Sequence, residues 1–107
     1  MEITGRYYKD MGIKTVSEKF RKREFILRHS EEINGNVYVN YIKMQLVQNK
    51  CDIIDRFKVG DEIKVYFNLK GNEIYRRQED KYEYITNIDV WRIENYEQDT
   101  KGTDTRA

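Results

Sequence analysis

Apolar and polar residues alternate most regularly between Phe57 and Ile74, in the segment FKVGDEIKVYFNLKGNEI. Gly60-Asp61 is a turn signal, after which Ile63, Val65, Phe67 and Leu69 fall on one face and Glu62, Lys64, Tyr66, Asn68 and Lys70 on the other. That alternation predicts a half-buried strand, broken at Gly71-Asn72. In the preceding NKCDIIDRF, Ile53, Ile54 and Phe57 recur at three- and four-residue spacing. This predicts a short helix, with Asn49 placed to cap it and its apolar face placed to plug one end of a barrel.

The rest of the chain reads as strands around this unit. MEITGRYY sets Ile3, Gly5 and Tyr7 against Glu2, Thr4 and Arg6, with Gly5 free to bend or bulge the strand. KDMGIKTVSEKF is either its continuation or a loop weakened at Gly12. FRKREFILRHS predicts a second strand with Phe25 and Leu27 inward and Lys22, Glu24, Ile26 and Arg28 outward. Asn34-Gly35 is a hairpin signal. A third strand over about Val37–Val47 has Tyr38, Ile42, Met44 and Leu46 as the inward set and Val39, Tyr41, Lys43, Gln45 and Val47 as the outward one. KGNEIYRRQEDKY predicts a long basic loop from Lys70 to Lys81. YEYITNIDVWRIE is a last strand of mixed parity, with Tyr84, Ile88 and Val90 facing one way and Ile85 and Trp91 the other. Five strands with one short helix between strands 3 and 4 predict an all-β domain, a five-stranded OB-fold barrel over residues 1–94. Residues 95–107, NYEQDTKGTDTRA, lack an apolar pattern and are expected to form a disordered polar tail.

Composition agrees with a single folded domain. The 107 residues are 36% charged with a mean hydropathy of -0.93, yet they include 9 Tyr, 4 Phe and 1 Trp, more aromatics than disordered chains carry. No run is long and apolar enough to span a membrane, and MEITGRYYKD lacks the pattern of a signal peptide. A lone cysteine, Cys51, forms no internal disulfide. These features predict a cytoplasmic protein that contacts no membrane.

The formal net charge of +1 conceals an uneven distribution. Lys14 to His29 holds six positive and two negative side chains, a net +4, while Glu94 to the end holds two and four, a net -2. Such a basic segment is either an attraction site for phosphate or a solvated strand end.

The pieces MEITG, KREFIL, CDIIDRFKVGDEIKVYF and ITNIDVWRI resemble a family of short bacterial OB-fold proteins that carry a domain of unknown function. That family is similar in layout to bacterial single-stranded-DNA-binding proteins. The resemblance covers roughly Met1 to Glu94. It implies that Tyr41 and Val47 occupy positions where the DNA-binding relatives usually carry stacking aromatics, with Lys43 near a basic position. It also implies a homo-oligomer. Val47 departs from the pattern, because an aliphatic side chain stacks weakly. The ending TDTRA departs too, because the relatives end in an acidic tip with a terminal hydrophobe.

Catalytic signatures are missing from the sequence. His29 is the one histidine and Cys51 the one cysteine, without HExxH, GxSxG, a phosphate-cradling glycine loop or a Cys/His cluster. Neither catalysis, a metal nor a cofactor is expected. Single-stranded nucleic acid binding requires cations along a groove and aromatic faces for base stacking. Lys22, Arg28, Tyr41, Lys43, Tyr66, Arg76 and Arg77 supply both, on the outer face of strands two and three, the central strand and the Lys70–Lys81 loop. Single-stranded DNA is the expected ligand, and RNA uses the same chemistry. The alternative is an oligomeric protein-interaction module. Each residue also has a plainer structural reading, in which Tyr41 and Tyr66 pair across strands or pack under a loop, Tyr75-Arg76-Arg77 is a hairpin tip, and Trp91 lies in the core or a subunit interface.

Overall fold

The computed structural model describes residues 1–96 of the chain. Five strands, β1 (Glu2–Ser17), β2 (Phe20–Ile33), β3 (Asn36–Val47), β4 (Glu62–Arg76) and β5 (Lys81–Asn95), close into a barrel in the order β1-β2-β3-β5-β4. A 3₁₀ helix, Gln48–Arg56, connects β3 to β4. This is the all-β, five-stranded OB-fold with one short helix that the strand pattern predicts. β1 pairs antiparallel with both β2 and β4, and β4 with β5, whereas β3 meets β5 in parallel at one position, Gln45 opposite Asp89. The barrel therefore has a narrow seam between β3 and β5.

The alternating residues fill the interior. Tyr7 from β1, Phe25 and Leu27 from β2, Met44 and Leu46 from β3, Ile63 and Val65 from β4, and Val90 and Ile93 from β5 are buried together. Ile54 and Cys51 close one end from the 3₁₀ helix, with Ile53 and Phe57 packed beside them. Arg23 holds this plug in place. Its guanidinium donates to Asp10 of β1 at 2.7 and 3.2 Å, to Asp55 of the helix at 2.8 Å and to the Cys51 carbonyl at 3.2 Å. The Gly60-Asp61 turn is fastened to β1 by the Tyr7 backbone. Tyr7 N–H donates to the Asp61 carbonyl at 2.9 Å, and the Gly60 N–H donates to the Tyr7 carbonyl at 2.8 Å. Gly60 meets this geometry at φ 108°, a conformation that side chains disfavour.

One open reading is settled and several local expectations are revised. KDMGIKTVS continues β1, with bulges that interrupt the β1–β2 register near Tyr8, Gly12 and Val16. The Lys70–Lys81 segment is a two-stranded ribbon rather than a loop, laddered from Lys70 opposite Asn87 to Arg76 opposite Lys81. Its apolar alternation therefore leaves the barrel, so Leu69 is exposed instead of inward, and Tyr84 on the other strand of the ribbon is exposed as well. Tyr38 is exposed for the same reason, because β2 and β3 project past the last β1–β2 pair, Arg6 opposite Arg28, as a second ribbon turned at Asn34-Gly35. Asn49 does not cap the helix. Val47 occupies the cap position without a side-chain hydrogen bond, and Gln48 enters at φ 56°. Asn95 and Tyr96 belong to the barrel rather than the tail, with Asn95 opposite Ile63 and the Tyr96 N–H donating to the Glu62 carbonyl at 3.0 Å. The remainder of the expected tail, residues 97–107, lies outside the described residues.

Candidate nucleic-acid interface

The β2–β3 register decides which outward side chains are neighbours. Lys22 stands opposite Val47, Glu24 opposite Gln45, Ile26 opposite Lys43 and Arg28 opposite Tyr41. Strand pleating places all eight on the outer face. Lys22, Arg28, Tyr41 and Lys43 are thus brought together as the sequence predicts. Tyr41 remains 57% exposed, and its ring meets that of Tyr8, 47% exposed, edge-on at 5.0 Å between centroids. Tyr8 reaches it because the bulge at this point leaves Tyr8 without a partner between the pairs Tyr7–Leu27 and Lys9–Ile26.

Beside the tyrosines lies a carboxylate encircled by ammonium groups. Glu24 is only 8% exposed, and its oxygens lie 3.6 Å from Lys14 Nζ, 3.9 Å from Lys22 Nζ and 3.7 Å from Lys43 Nζ. The long lysine stems cover it. Its expected outward direction holds, but its expected exposure does not. The trio retains a net positive charge, and Lys14 and Lys43 keep most of their surface in water. At the seam, Gln45 Nε2 donates to Asp89 Oδ1 at 2.5 Å, and Lys70 Nζ lies 3.6 Å from the same carboxylate.

Tyr66 is not part of this face. It sits on β4, two strands away around the barrel, between Glu2 of β1 and Arg92 of β5. Its ring leans on Trp91 at 5.4 Å, with Lys64 Nζ at 5.4 Å and the Arg92 guanidinium at 5.7 Å from its centroid. Its hydroxyl donates to Glu94 at 3.0 Å and, ahead of the nearby Arg92, holds that carboxyl below the ordinary glutamate range. Trp91 is the extra residue of a bulge, since Tyr66 pairs with Arg92 and Phe67 with Val90. The indole is 43% exposed on the outer surface, which removes the core placement considered for it. Arg76 and Arg77 lie at the tip of the β4–β5 ribbon. Arg76 Nε donates to Glu83 at 2.5 Å, and Tyr75 packs on Tyr82 while donating to Asp80 at 2.6 Å.

The groups that catalysis would need stand apart. Cys51 Sγ faces the Leu46 and Arg21 carbonyls, and burial pushes its thiol above the usual range. His29, farther along β2 beyond Arg28, directs Nδ1 to the Thr4 carbonyl at 2.7 Å. Among the described residues no group of three or more His, Cys, Asp or Glu side chains is placed to hold a metal ion. No helix of the described residues is long and apolar enough to cross a membrane.

Residues 2–94 match a family model described as a domain of unknown function, DUF3127. The chain belongs to this family. No curated protein sequence matches it. Among solved structures it is similar to a small single-stranded DNA-binding protein from Streptomyces coelicolor, with a TM-score of 0.53 and 12% identity over 90% of this chain and 92% of that one. It is similar also to the mitochondrial single-stranded DNA binding protein of S. cerevisiae, with a TM-score of 0.61 and 13% identity over 89% and 91%. At these identities the likeness establishes the shared fold.

Tyr8, Lys14 and the burial of Glu24 were not predicted. The Tyr7-Tyr8 doublet carries a signal for the first, because if Tyr7 points inward an adjacent tyrosine must point out. Lys14 opposite Lys22 requires the β1–β2 register, which three bulges obscure. The basic segment itself also divides. Arg23 is committed to the barrel plug and Arg21 lies 3.6 Å from Asp52, so these two arginines are already matched to carboxylates.

Proposed function

We propose that this protein binds single-stranded DNA without catalysis, through the outer face of β1, β2 and β3. The observation that carries the reading is the half-exposed Tyr41–Tyr8 pair, with Tyr41 in cross-strand register with Arg28 and two residue pairs from Lys43 on the same face. Aromatic faces accept bases of any sequence, and the flanking cations accept phosphates, so binding is expected to be weakly sequence-dependent. Lys14, Lys22 and Lys43 add electrostatic attraction. Arg76 and Arg77 extend it along the β4–β5 ribbon. Tyr66, engaged with Trp91, Arg92 and Glu94 on another surface, is left out of the groove. The fold shared with two single-stranded DNA-binding proteins supports the same reading.

The deciding experiment is fluorescence anisotropy of a labelled oligo-dT titrated with the protein at low and near-physiological salt. Saturable binding whose logarithm falls linearly with log salt is expected. Tyr41→Ala should weaken it by about five- to 150-fold, the equivalent of one lost stack of about 1–3 kcal/mol. Unchanged affinity in the folded variant would move the site elsewhere, and no binding at low salt would end the nucleic-acid reading.

A second reading, a homo-oligomer with no nucleic-acid ligand, has its own support. Leu69, Tyr75, Tyr82 and Tyr84 are exposed on the β4–β5 ribbon, and Val37, Tyr38 and Val39 on the β2–β3 ribbon. Apolar ribbon faces of this kind are suited to burial against protein. A monomer by sedimentation at micromolar concentration would remove that reading.

A further inference from the structure

The β1–β2 ladder reaches Arg6 opposite Arg28, and at the same residue β1 also pairs with β4, placing Arg6 opposite Glu62. Two like charges opposite one another on neighbouring strands are unfavourable unless an anion offsets them. Arg6 has such an anion, since its Nε donates to Glu62 Oε2 at 3.0 Å. Arg28 makes no ion pair with any described residue.

A groove of about 310 Å³ opens here, bordered by Thr4, Arg6, Arg28, His29, Ser30 and Glu62. Gly5 also borders it. A Cβ at Gly5 would stand 2.6 Å from the Arg28 carbonyl oxygen, so the close approach of the two strands requires glycine. His29 forms one wall. A carbonyl oxygen only accepts, so Nδ1 donates to Thr4 at 2.7 Å and fixes the ring at the groove, with Nε2 3.7 Å from Glu31.

We propose that this groove is a seat for a single phosphate group, with the Arg28 guanidinium as its principal ligand and the Ser30 hydroxyl and Arg6 as flanking donors. A planar guanidinium fork matches two phosphate oxygens, and donors from neighbouring positions suit a tetrahedral anion. Glu62 offsets one arginine, which limits the seat to one anionic group. Arg28 is also the cross-strand neighbour of Tyr41. The seat therefore continues the Tyr41 face, and the assignment of its phosphate to a nucleic-acid strand rests on the function proposed above. The chemistry is common to an internal phosphodiester, a terminal phosphate and free inorganic phosphate.

The single histidine of the chain makes the test direct, because its Hε1 resonance needs no discrimination from others. The full chain is titrated at fixed pH and ionic strength with inorganic phosphate, with 5′-hydroxyl oligo-dT and with 5′-phosphorylated oligo-dT. Chloride serves as the control, and oligonucleotide anisotropy is read in parallel. The His29 resonance is expected to shift saturably with phosphate but not with chloride, and the response should weaken about tenfold or more in Arg28→Gln. Equal responses to the two oligonucleotides assign an internal phosphodiester, and a stronger response to the phosphorylated one assigns a terminal phosphate. A His29 signal that is silent to all three ligands, or that follows chloride equally, overturns the seat. If oligonucleotides bind while His29 is silent, the seat fails and the strand-binding reading survives. If phosphate moves His29 but no oligonucleotide binds, the seat survives and the strand-binding reading fails.

Discussion

Replacing Glu24 by glutamine should tighten oligonucleotide binding. The carboxylate lies 3.6–3.9 Å from three lysine ammonium groups on the proposed binding face and is 8% exposed, so it occupies a position that a phosphate would otherwise contest. A phosphate oxygen hydrogen-bonded to the far side of one of these lysines would lie about 6–8 Å from the carboxylate. At that separation, with an effective dielectric of about 40–80, the repulsion is about 0.5–1.4 kcal/mol, equivalent to about two- to tenfold in affinity. Glutamine keeps the shape and hydrogen-bonding capacity of the site but removes the charge. The assay is oligo-dT anisotropy on wild type and Glu24→Gln, with the gain largest at low salt because mobile ions screen the rest. Equal or weaker binding by a variant whose urea midpoint stays near that of wild type would refute the placement of the strand over this trio.

Other consequences concern stability and location. Gly5→Ala forces a Cβ to 2.6 Å from the Arg28 carbonyl oxygen and 3.0 Å from Leu27 Cγ, and neither a ladder backbone nor a core leucine yields easily. The expected loss is about 2–4 kcal/mol by urea unfolding, and a loss below about 0.5 would show that the barrel relaxes there. The Arg23 hydrogen bond holds the Asp10 carboxyl below its ordinary range. Its contribution is therefore present above the unfolded-state value and disappears as pH falls through the lower folded one, so the stability gap between wild type and Asp10→Asn should be constant above about pH 5 and shrink below about pH 4. A gap that widens on acidification would contradict that sign. Trp91, the sole tryptophan, lies beside Tyr66 rather than Tyr41. Its emission should stay unquenched when oligo-dT binds, and saturable quenching would transfer the site to the β4–β5 surface.

Much of the barrel is legible in the sequence because burial on one face imposes a period of two. Phe25 and Leu27, Met44 and Leu46, and Ile63 and Val65 are each such a pair, and all six are buried. The helix between β3 and β4 is legible from the spacing of Ile53, Ile54 and Phe57, and the β2–β3 turn from Asn34-Gly35, which sit at φ 52° and 82°. The same rule misleads where a strand continues past the core. Alternation at Leu69, Tyr84 and Tyr38 belongs to ribbons whose two faces both meet solvent, so inward and outward lose their meaning there. Single-chain parity carries no information on where a neighbouring strand stops.

Parity points Tyr8 and Trp91 outward but does not give the rings they meet, for a related reason. Tyr8 and Trp91 are each the unpaired residue of a bulge, one in β1 and one in β5, and each brings an aromatic ring against a regularly placed tyrosine, Tyr41 or Tyr66. A bulge adds one residue to one strand and shifts the parity of everything after it, which is why Val90 and Ile93 are both buried although their numbers differ by three. Parity counted from Val90 therefore misplaces Ile93, on the far side of Trp91. The exposed tyrosine pair exists because the barrel departs from its own repeat at Tyr8. Restoring the repeat by deleting Tyr8 would place Lys9 one position earlier in register, remove one ring of the pair and leave Tyr41 to stack alone. If both rings contribute to holding the strand, that deletion should weaken oligonucleotide binding while the core pairs on β2 and β3 keep the barrel closed. Undiminished binding would show that Tyr41 with its flanking cations is sufficient.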